Sequence, residues 1–274
     1  MNKNLRECPI GVFDSGIGGI SVLSALKKRL SLESFVYLGD MARVPYGTKS
    51  KHTVVRYAIE AAKILSQKNI KLLVIACNTA TALALPEVHQ AIGIPVIGVI
   101  EHSAEKACQV SQKGHIALIA TEGTVASGSY ERAVAKFSPQ THVTGKSCGL
   151  LVSLAEEGFL DHPATELVVH EYLDPLFSLP NTPDCLILGC THYPFLTPVI
   201  QRVVNKRMVI VDPAEETAIE VQKWLVNHQM NTLNPERAGC VEYLVTDAKA
   251  RFLRLAQLFL GEIIAEESVT AFDW

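Results

Sequence analysis

Two cysteines stand in matching places, each ending an aliphatic run and followed at once by small polar residues. The first lies in Leu72-Leu73-Val74-Ile75-Ala76-Cys77-Asn78-Thr79, the second in Leu186-Ile187-Leu188-Gly189-Cys190-Thr191-His192. A short apolar run of this kind reads as a buried parallel strand, and α/β proteins place their ligands at the carboxyl ends of such strands. Two thiols can therefore meet across one pocket. Free cysteine is among the most buried residue types, so either alone would read as core. The matched pair, with amide, hydroxyl and imidazole neighbours, points to chemistry instead. His192, two residues beyond Cys190, completes a thiol–imidazole arrangement that also suits a cysteine hydrolase.

Other strand ends carry further polar groups. Gly11-Val12-Phe13-Asp14-Ser15-Gly16-Ile17-Gly18-Gly19 leads into a helix from Ile20, and glycines there let backbone N–H groups approach an anion. The spacing is Gly-x-Gly-Gly rather than Gly-x-Gly-x-x-Gly, and no Lys-Ser/Thr follows, so a nucleotide site has little support. Asp14 can hold an ammonium group, tune a neighbouring acid or base, or simply cap the helix. Gly39-Asp40-Met41-Ala42-Arg43-Val44-Pro45-Tyr46-Gly47 is a second such loop, in which the N–H groups of Tyr46 and Gly47 suit a carboxylate, or which serves only as a turn. Thr121 and Thr124 add two hydroxyls after the run Ile116 to Ala120.

These groups need a scaffold, and hydrophobic periodicity supplies one. Apolar runs recur at Ile10–Phe13, Phe35–Leu38, Leu72–Ala76, Val96–Val99, Ile116–Ala120, Leu186–Leu188, Val209–Val211 and Val241–Val245. Between them come helical spacings such as Val55, Ile59, Ala62 and Leu65. The alternation predicts an α/β fold with parallel sheet, either one eight-stranded barrel or two sheets. The two strand–Cys–loop units, 113 residues apart, favour two halves facing each other. The expected division is 1–98 plus 208–274 for a first α/β domain and 99–207 for a second inserted into it.

Composition excludes several classes. The chain of 274 residues is long enough to bury a large core without a metal or disulfide staple. Its seven cysteines include no Cys-x-x-Cys pair and no zinc spacing, so they read as reduced thiols in a cytoplasmic setting. With a net charge of −3, no basic stripe and no apolar stretch of membrane-spanning length, neither nucleic acid nor membrane is an expected partner. Met1 to Cys8 has no signal-peptide core. No lysine motif suggests pyridoxal phosphate, and neither cofactor nor metal is expected.

Taken together, Phe13-Asp14-Ser15-Gly16-Ile17-Gly18-Gly19, Pro45-Tyr46-Gly47, Cys77-Asn78-Thr79, Thr121 with Thr124, Leu188-Gly189-Cys190-Thr191-His192-Tyr193-Pro194 and Val211-Asp212-Pro213-Ala214 resemble the cofactor-independent aspartate/glutamate racemases, glutamate racemase in particular. The resemblance implies two doubly wound parallel-sheet domains related by a pseudo-twofold axis, with glutamate bound between them, in a chain that forms homodimers. It makes Cys77 and Cys190 the two acid/base residues, assisted by Asp14, Glu156 and His192. Ser15, Pro45, Tyr46, Gly47, Asn78, Thr79, Thr121, Thr124 and Thr191 would bind substrate. D-Glutamate so formed would supply peptidoglycan synthesis. A racemase of aspartate or a hydantoin, or a non-catalytic binding protein for an acidic amino acid, are the alternatives.

The chain departs from the family pattern in two places. Cys148-Gly149 and Ser153-Leu154-Ala155-Glu156 replace a Cys-Pro and a Pro-Leu-x-Glu, which leaves Glu157 beside Glu156 as the assisting carboxylate. Glu101-His102 stands where a Pro-Gly pair is expected at the domain crossing.

Inverting a Cα centre suits two thiols, because one face loses a proton while the opposite face gains one. Lowering a thiol pKa from about 8.5 to about 7 raises the thiolate roughly fifteenfold at neutral pH, worth only about 1.6 kcal/mol. Most of the barrier must therefore be met by donors placed around the substrate carboxylate, and Asn78, Thr79, Thr121 and Thr191 are of the right type.

Overall fold

The computed structural model describes residues 5–233 and 239–273. Ten strands and eleven helices alternate along them. The strands are β1 (Ile10–Asp14), β2 (Phe35–Gly39), β3 (Leu72–Ile75), β4 (Val96–Gly98), β5 (His115–Ala120), β6 (His142–Ser147), β7 (Cys185–Gly189), β8 (Val209–Val211), β9 (Val241–Val245) and β10 (Val269–Ala271). The helices are α1 (Ile20–Arg29), α2 (Lys51–Gln67), α3 (Asn78–Ala91), α4 (Ile100–Val110), α5 (Glu122–Ala126), α6 (Ser129–Phe137), α7 (Leu150–Glu156), α8 (Pro163–Phe177), α9 (Thr197–Val204), α10 (Pro213–Asn227) and α11 (Lys249–Leu260). No described helix is long and apolar enough to cross a membrane.

The strands form two open sheets rather than a barrel, in the orders β10-β9-β2-β1-β3-β4 and β6-β5-β7-β8, and neighbouring strands pair in parallel. Every residue of β1, β2, β3, β5 and β7 is buried. Such strands are covered on both faces, which is why their sequences are almost unbroken apolar runs. Within the first sheet, β2-β1-β3-β4 has the same order as β6-β5-β7-β8. The two halves therefore share a winding, although their sequences do not visibly align.

Two details differ from the periodicity. The edge strand β6, His-Val-Thr-Gly-Lys-Ser, has one buried residue and no apolar run, and β10 is a three-residue edge; neither carries a pattern to read. β8 pairs with β7, so the return crossing between sheets lies beyond Val211 rather than between 207 and 208. Its run Val-Ile-Val looks the same whichever sheet it joins.

Alternate residues of the strands sort the core into layers, as the period of two requires. Ile10 and Val12, Leu72 and Val74, and Ile116 and Leu118 share one apolar cluster with Leu23 and Leu26 of α1, Ala104 of α4, Val134 of α6 and Val221 of α10. That cluster runs unbroken from the first sheet to the second. Residues of opposite parity, such as Phe13 and Leu73 or Ala117 and Leu186, pack under outer helices in separate clusters. Local signals agree with this packing: Ser50 caps α2 at Thr53 N, Asp212 caps α10 at Ala214 N ahead of Pro213, and Lys27, Lys28 and Arg29 close α1 at the negative end of its dipole.

Candidate active site

In each sheet the chain winds one way from its first strand and then returns to the other side of it, which opens a crevice at the carboxyl ends of β1 and β3 and of β5 and β7. The loops at those four ends are the ones that carry Asp14, Cys77, Thr121 and Cys190. Both crevices open on one cavity. Cys77 and Cys190 both line it, in a wall completed by Ser15, Pro45, Tyr46, Gly47, Asn78, Thr79, Thr121, Glu156, Thr191 and His192. Asp14 and Thr124 do not reach the wall; both are fully buried behind it. Val44, from the loop before Pro45, and Val152 of α7 also line it, and nothing in the sequence context had marked Val152.

The two thiols have unlike surroundings. Cys77 sits at the N-cap of α3, where its Sγ accepts from Ala80 N at 3.4 Å. A helix N-terminus favours a thiolate, but burial and the nearby Asp14 carboxylate outweigh it and push this thiol up to about 12. Cys190 lies 3.8 Å from His192 Nδ1, and the other ring nitrogen, Nε2, bonds Glu156 Oε1 at 3.1 Å. Burial alone would strip the imidazole of its proton. Hydrogen bonds and charge from Cys190 and Glu156 overcome that, lifting His192 to about 10 and making it an imidazolium at neutral pH.

Glu156 is the carboxylate that reaches His192, whereas Glu157 is exposed. Burial would raise Glu156, but His192 and then Arg251 more than reverse this and hold it below the usual carboxylate range. Arg251 of α11 donates to Glu156 Oε2 at 2.8 Å, so each oxygen of the carboxylate has a cationic partner. Phe259, on the same helix, stacks on Phe195 and presents its ring to the His192 edge at 6.2 Å. Phe259-Leu260-Gly261 fits the family resemblance in sequence, whereas Arg251 looks like an ordinary helix residue and nothing marks it.

Asp14 bonds the backbone N–H groups of Gly16 and Gly19 and accepts from Thr191 Oγ1 at 3.4 Å. It therefore shapes the turn before α1 and holds Thr191 at the same time. Burial raises its pKa, and the His192 cation opposes that rise. Asp40 does similar work for the next loop: its carboxylate accepts from Tyr46 Oη at 2.6 Å, Thr246 Oγ1 at 2.9 Å and Arg43 at 3.2 Å. With its hydroxyl so engaged, Tyr46 offers the cavity its backbone rather than its phenol.

Hydroxyls join the two sheets across the cavity. Thr79 at the start of α3 is bonded to Thr121 at 2.8 Å and Thr124 at 3.2 Å, and those two are 3.0 Å apart. On the opposite wall, Ser21 Oγ of α1 donates to Thr191 O at 2.9 Å. Gly18 belongs to the same contact, since a Cβ there would lie 2.4 Å from Thr191 Oγ1 and 2.6 Å from His192 Nδ1. Gly18→Ala is therefore expected to displace the imidazole and lower turnover by at least about tenfold, while far-UV circular dichroism stays unchanged. Wild-type turnover in that variant would show that the contact relaxes freely.

Among the described residues lining the cavity, His192 and Glu156 are the charged groups, and no Lys or Arg is present. Recognition of an anionic ligand thus falls to the first turn of α3, the hydroxyls of Thr79, Thr121 and Thr191, and backbone N–H groups. No cluster able to hold a metal ion occurs among the described residues.

Comparison with known proteins bears on the same region. A family described as Asp/Glu/Hydantoin racemase matches residues 19–221. A glutamate racemase from Geobacter metallireducens is 44% identical over 252 residues, covering 92% of each chain. Among solved structures, an isoform of glutamate racemase from Bacillus anthracis superimposes with a TM-score of 0.91 at 36% identity, covering 98% of each chain. The glutamate racemase of Francisella tularensis, solved in complex with D-glutamate, matches with a TM-score of 0.86 at 34% identity, covering 96% of this chain and 99% of its own.

Proposed function

Because this chain belongs to the Asp/Glu/hydantoin racemase family, we propose that Cys77 and Cys190 act on opposite faces of one α-carbon and interconvert L- and D-glutamate. The chain is an isomerase, and the reaction needs no cofactor. The observation that carries the two-base reading is that two thiols from equivalent strand ends, β3 and β7, line a single cavity.

The unlike surroundings of the sulfurs give each a starting role. Following the family resemblance, Cys190, beside the His192 imidazolium, takes the α-hydrogen of the L isomer, and Cys77, held as a thiol, delivers a proton to the other face. In the reverse direction the roles exchange. Both directions start from the same number of bound protons and differ only in which sulfur carries the shared one. Charge that develops on the substrate carboxylate is met by the hydroxyls of Thr79, Thr121 and Thr191, the amide of Asn78 and the first turn of α3, all lining the cavity. The His192 cation faces the Cys190 sulfur, Glu156 holds His192, and Asp14 keeps Thr191 in place.

The seven free thiols fit a reducing cytoplasm, where D-glutamate would enter peptidoglycan synthesis, and the family resemblance supports a homodimer. Incubation with L-glutamate in D2O without added cofactor tests the reading. Optical rotation should decay to zero as deuterium enters Cα. Tight binding of glutamate by calorimetry with neither change would instead mark a binding protein, and faster turnover of L-aspartate would move the substrate assignment.

A further inference from the structure

Asn78 is the first residue of α3 and lines the cavity, yet its carboxamide has an oxygen and a nitrogen of nearly the same size that can trade places by rotation about one bond. Only the Nδ2 orientation offers a donor to a carboxylate. The Oδ1 orientation would set one lone pair against another.

The choice is made from the opposite sheet. Tyr130, on α6, is completely buried, and its hydroxyl donates to Asn78 Oδ1 at 2.6 Å. The phenol keeps its hydrogen at neutral pH, since burial pushes its pKa above the ordinary value even though Ser103, its other hydrogen-bond partner, lowers it. α6 is fixed in turn by Ser129, whose Oγ donates to Ala82 O of α3 at 3.0 Å, and by Val134 in the central core. With Oδ1 taken, the two hydrogens of Nδ2 have no protein acceptor among the described residues and remain for a ligand in the cavity.

We propose that Tyr130 is a positioning residue for racemisation, which locks the Asn78 carboxamide with its nitrogen toward the substrate carboxylate. The inference rests on the functional reading above and adds to it a residue that never touches the substrate. The hydrogen bond strengthens no charge on a thiol; it acts by removing the wrong amide orientation.

Tyr130→Phe deletes one oxygen and keeps the ring in the core. Its kcat/KM for glutamate should fall about tenfold, while the thermal unfolding midpoint moves by a few degrees at most. The deciding comparison is a double-mutant cycle with Asn78→Ala. If Tyr130 acts through Asn78, Y130F in the N78A background should lower kcat/KM no further, within about twofold. A full additional tenfold loss in that background, or wild-type kinetics for Y130F alone, would overturn the proposal. Should Y130F fail to fold, wild-type protein labelled with 15N-asparagine tests the same point: the two Nδ2 hydrogens of Asn78 should give one sharp, non-interchanging pair that shifts when glutamate binds, and a pair unmoved by glutamate would overturn the proposal. Wild-type protein that fails to racemise glutamate would instead remove the functional reading itself, so the two failures are distinguishable.

Discussion

Cys190→Ser is expected to slow loss of the α-hydrogen of L-glutamate by about 10² to 10⁴-fold, the usual worth of a placed acid or base, while D-glutamate still exchanges its hydrogen with retention. Cys77→Ser should show the mirror image. The asymmetry cannot be read from racemisation, because the two enantiomers have equal free energy and kcat/KM must be the same from either side. It appears only in exchange without inversion, where one sulfur removes the hydrogen and returns deuterium to the same face. Each variant should therefore retain exchange from one enantiomer in D2O, followed by the α-hydrogen signal, and lose it from the other. Equal loss from both would refute the assignment of faces, and near wild-type exchange from both would refute the thiols as bases.

The second large effect concerns His192 and alkali. Its proton is held up to about pH 10 because Cys190 and Glu156 reward the cation more than burial penalises it. Since its pKa in the folded protein lies above the ordinary imidazole value, the protonated form persists through neutrality and is lost as pH rises through about 10. In wild type, kcat/KM should consequently decline on the alkaline side near that pH. His192→Asn should abolish this limb and lower the plateau by about 10²-fold or more. Glu156→Gln removes a negative charge and one acceptor from the ring, so its limb should shift toward neutral pH. An unmoved limb in E156Q would separate His192 from the descending rate.

Much of this arrangement was legible because its signals are local. The apolar runs gave eight of the strands, and the residues immediately after them gave both thiols, the imidazole and most of the wall. Glu156 and Glu157 could not be told apart in sequence, since adjacent helix positions differ by only 100° in direction and the partner that decides, His192, is 36 residues away. Tyr130 and Arg251 escaped for the same reason, as did the role of Asp40, although its loop was marked. Each supports the site through a contact with a distant part of the chain, and an aromatic in a helix, an arginine in a helix and an aspartate in a turn have commoner explanations. β6 was missed because an edge strand with one buried residue has little apolar pattern to display.

The hydroxyl ties between the sheets have a mechanical consequence. The halves share hydrocarbon that runs continuously between them; around the cavity they also meet through Thr79, Thr121 and Thr124 and through Ser21 and Thr191. Neutral hydrogen bonds of this sort are worth about 1 kcal/mol each in net, far less than the oily side. The hydrocarbon is then a fulcrum and the hydroxyls a latch that thermal motion can undo. Cys77 adjoins one group of ties and Cys190 the other, so in the proposed reaction a parting of these ties would draw both sulfurs away from the shared carbon.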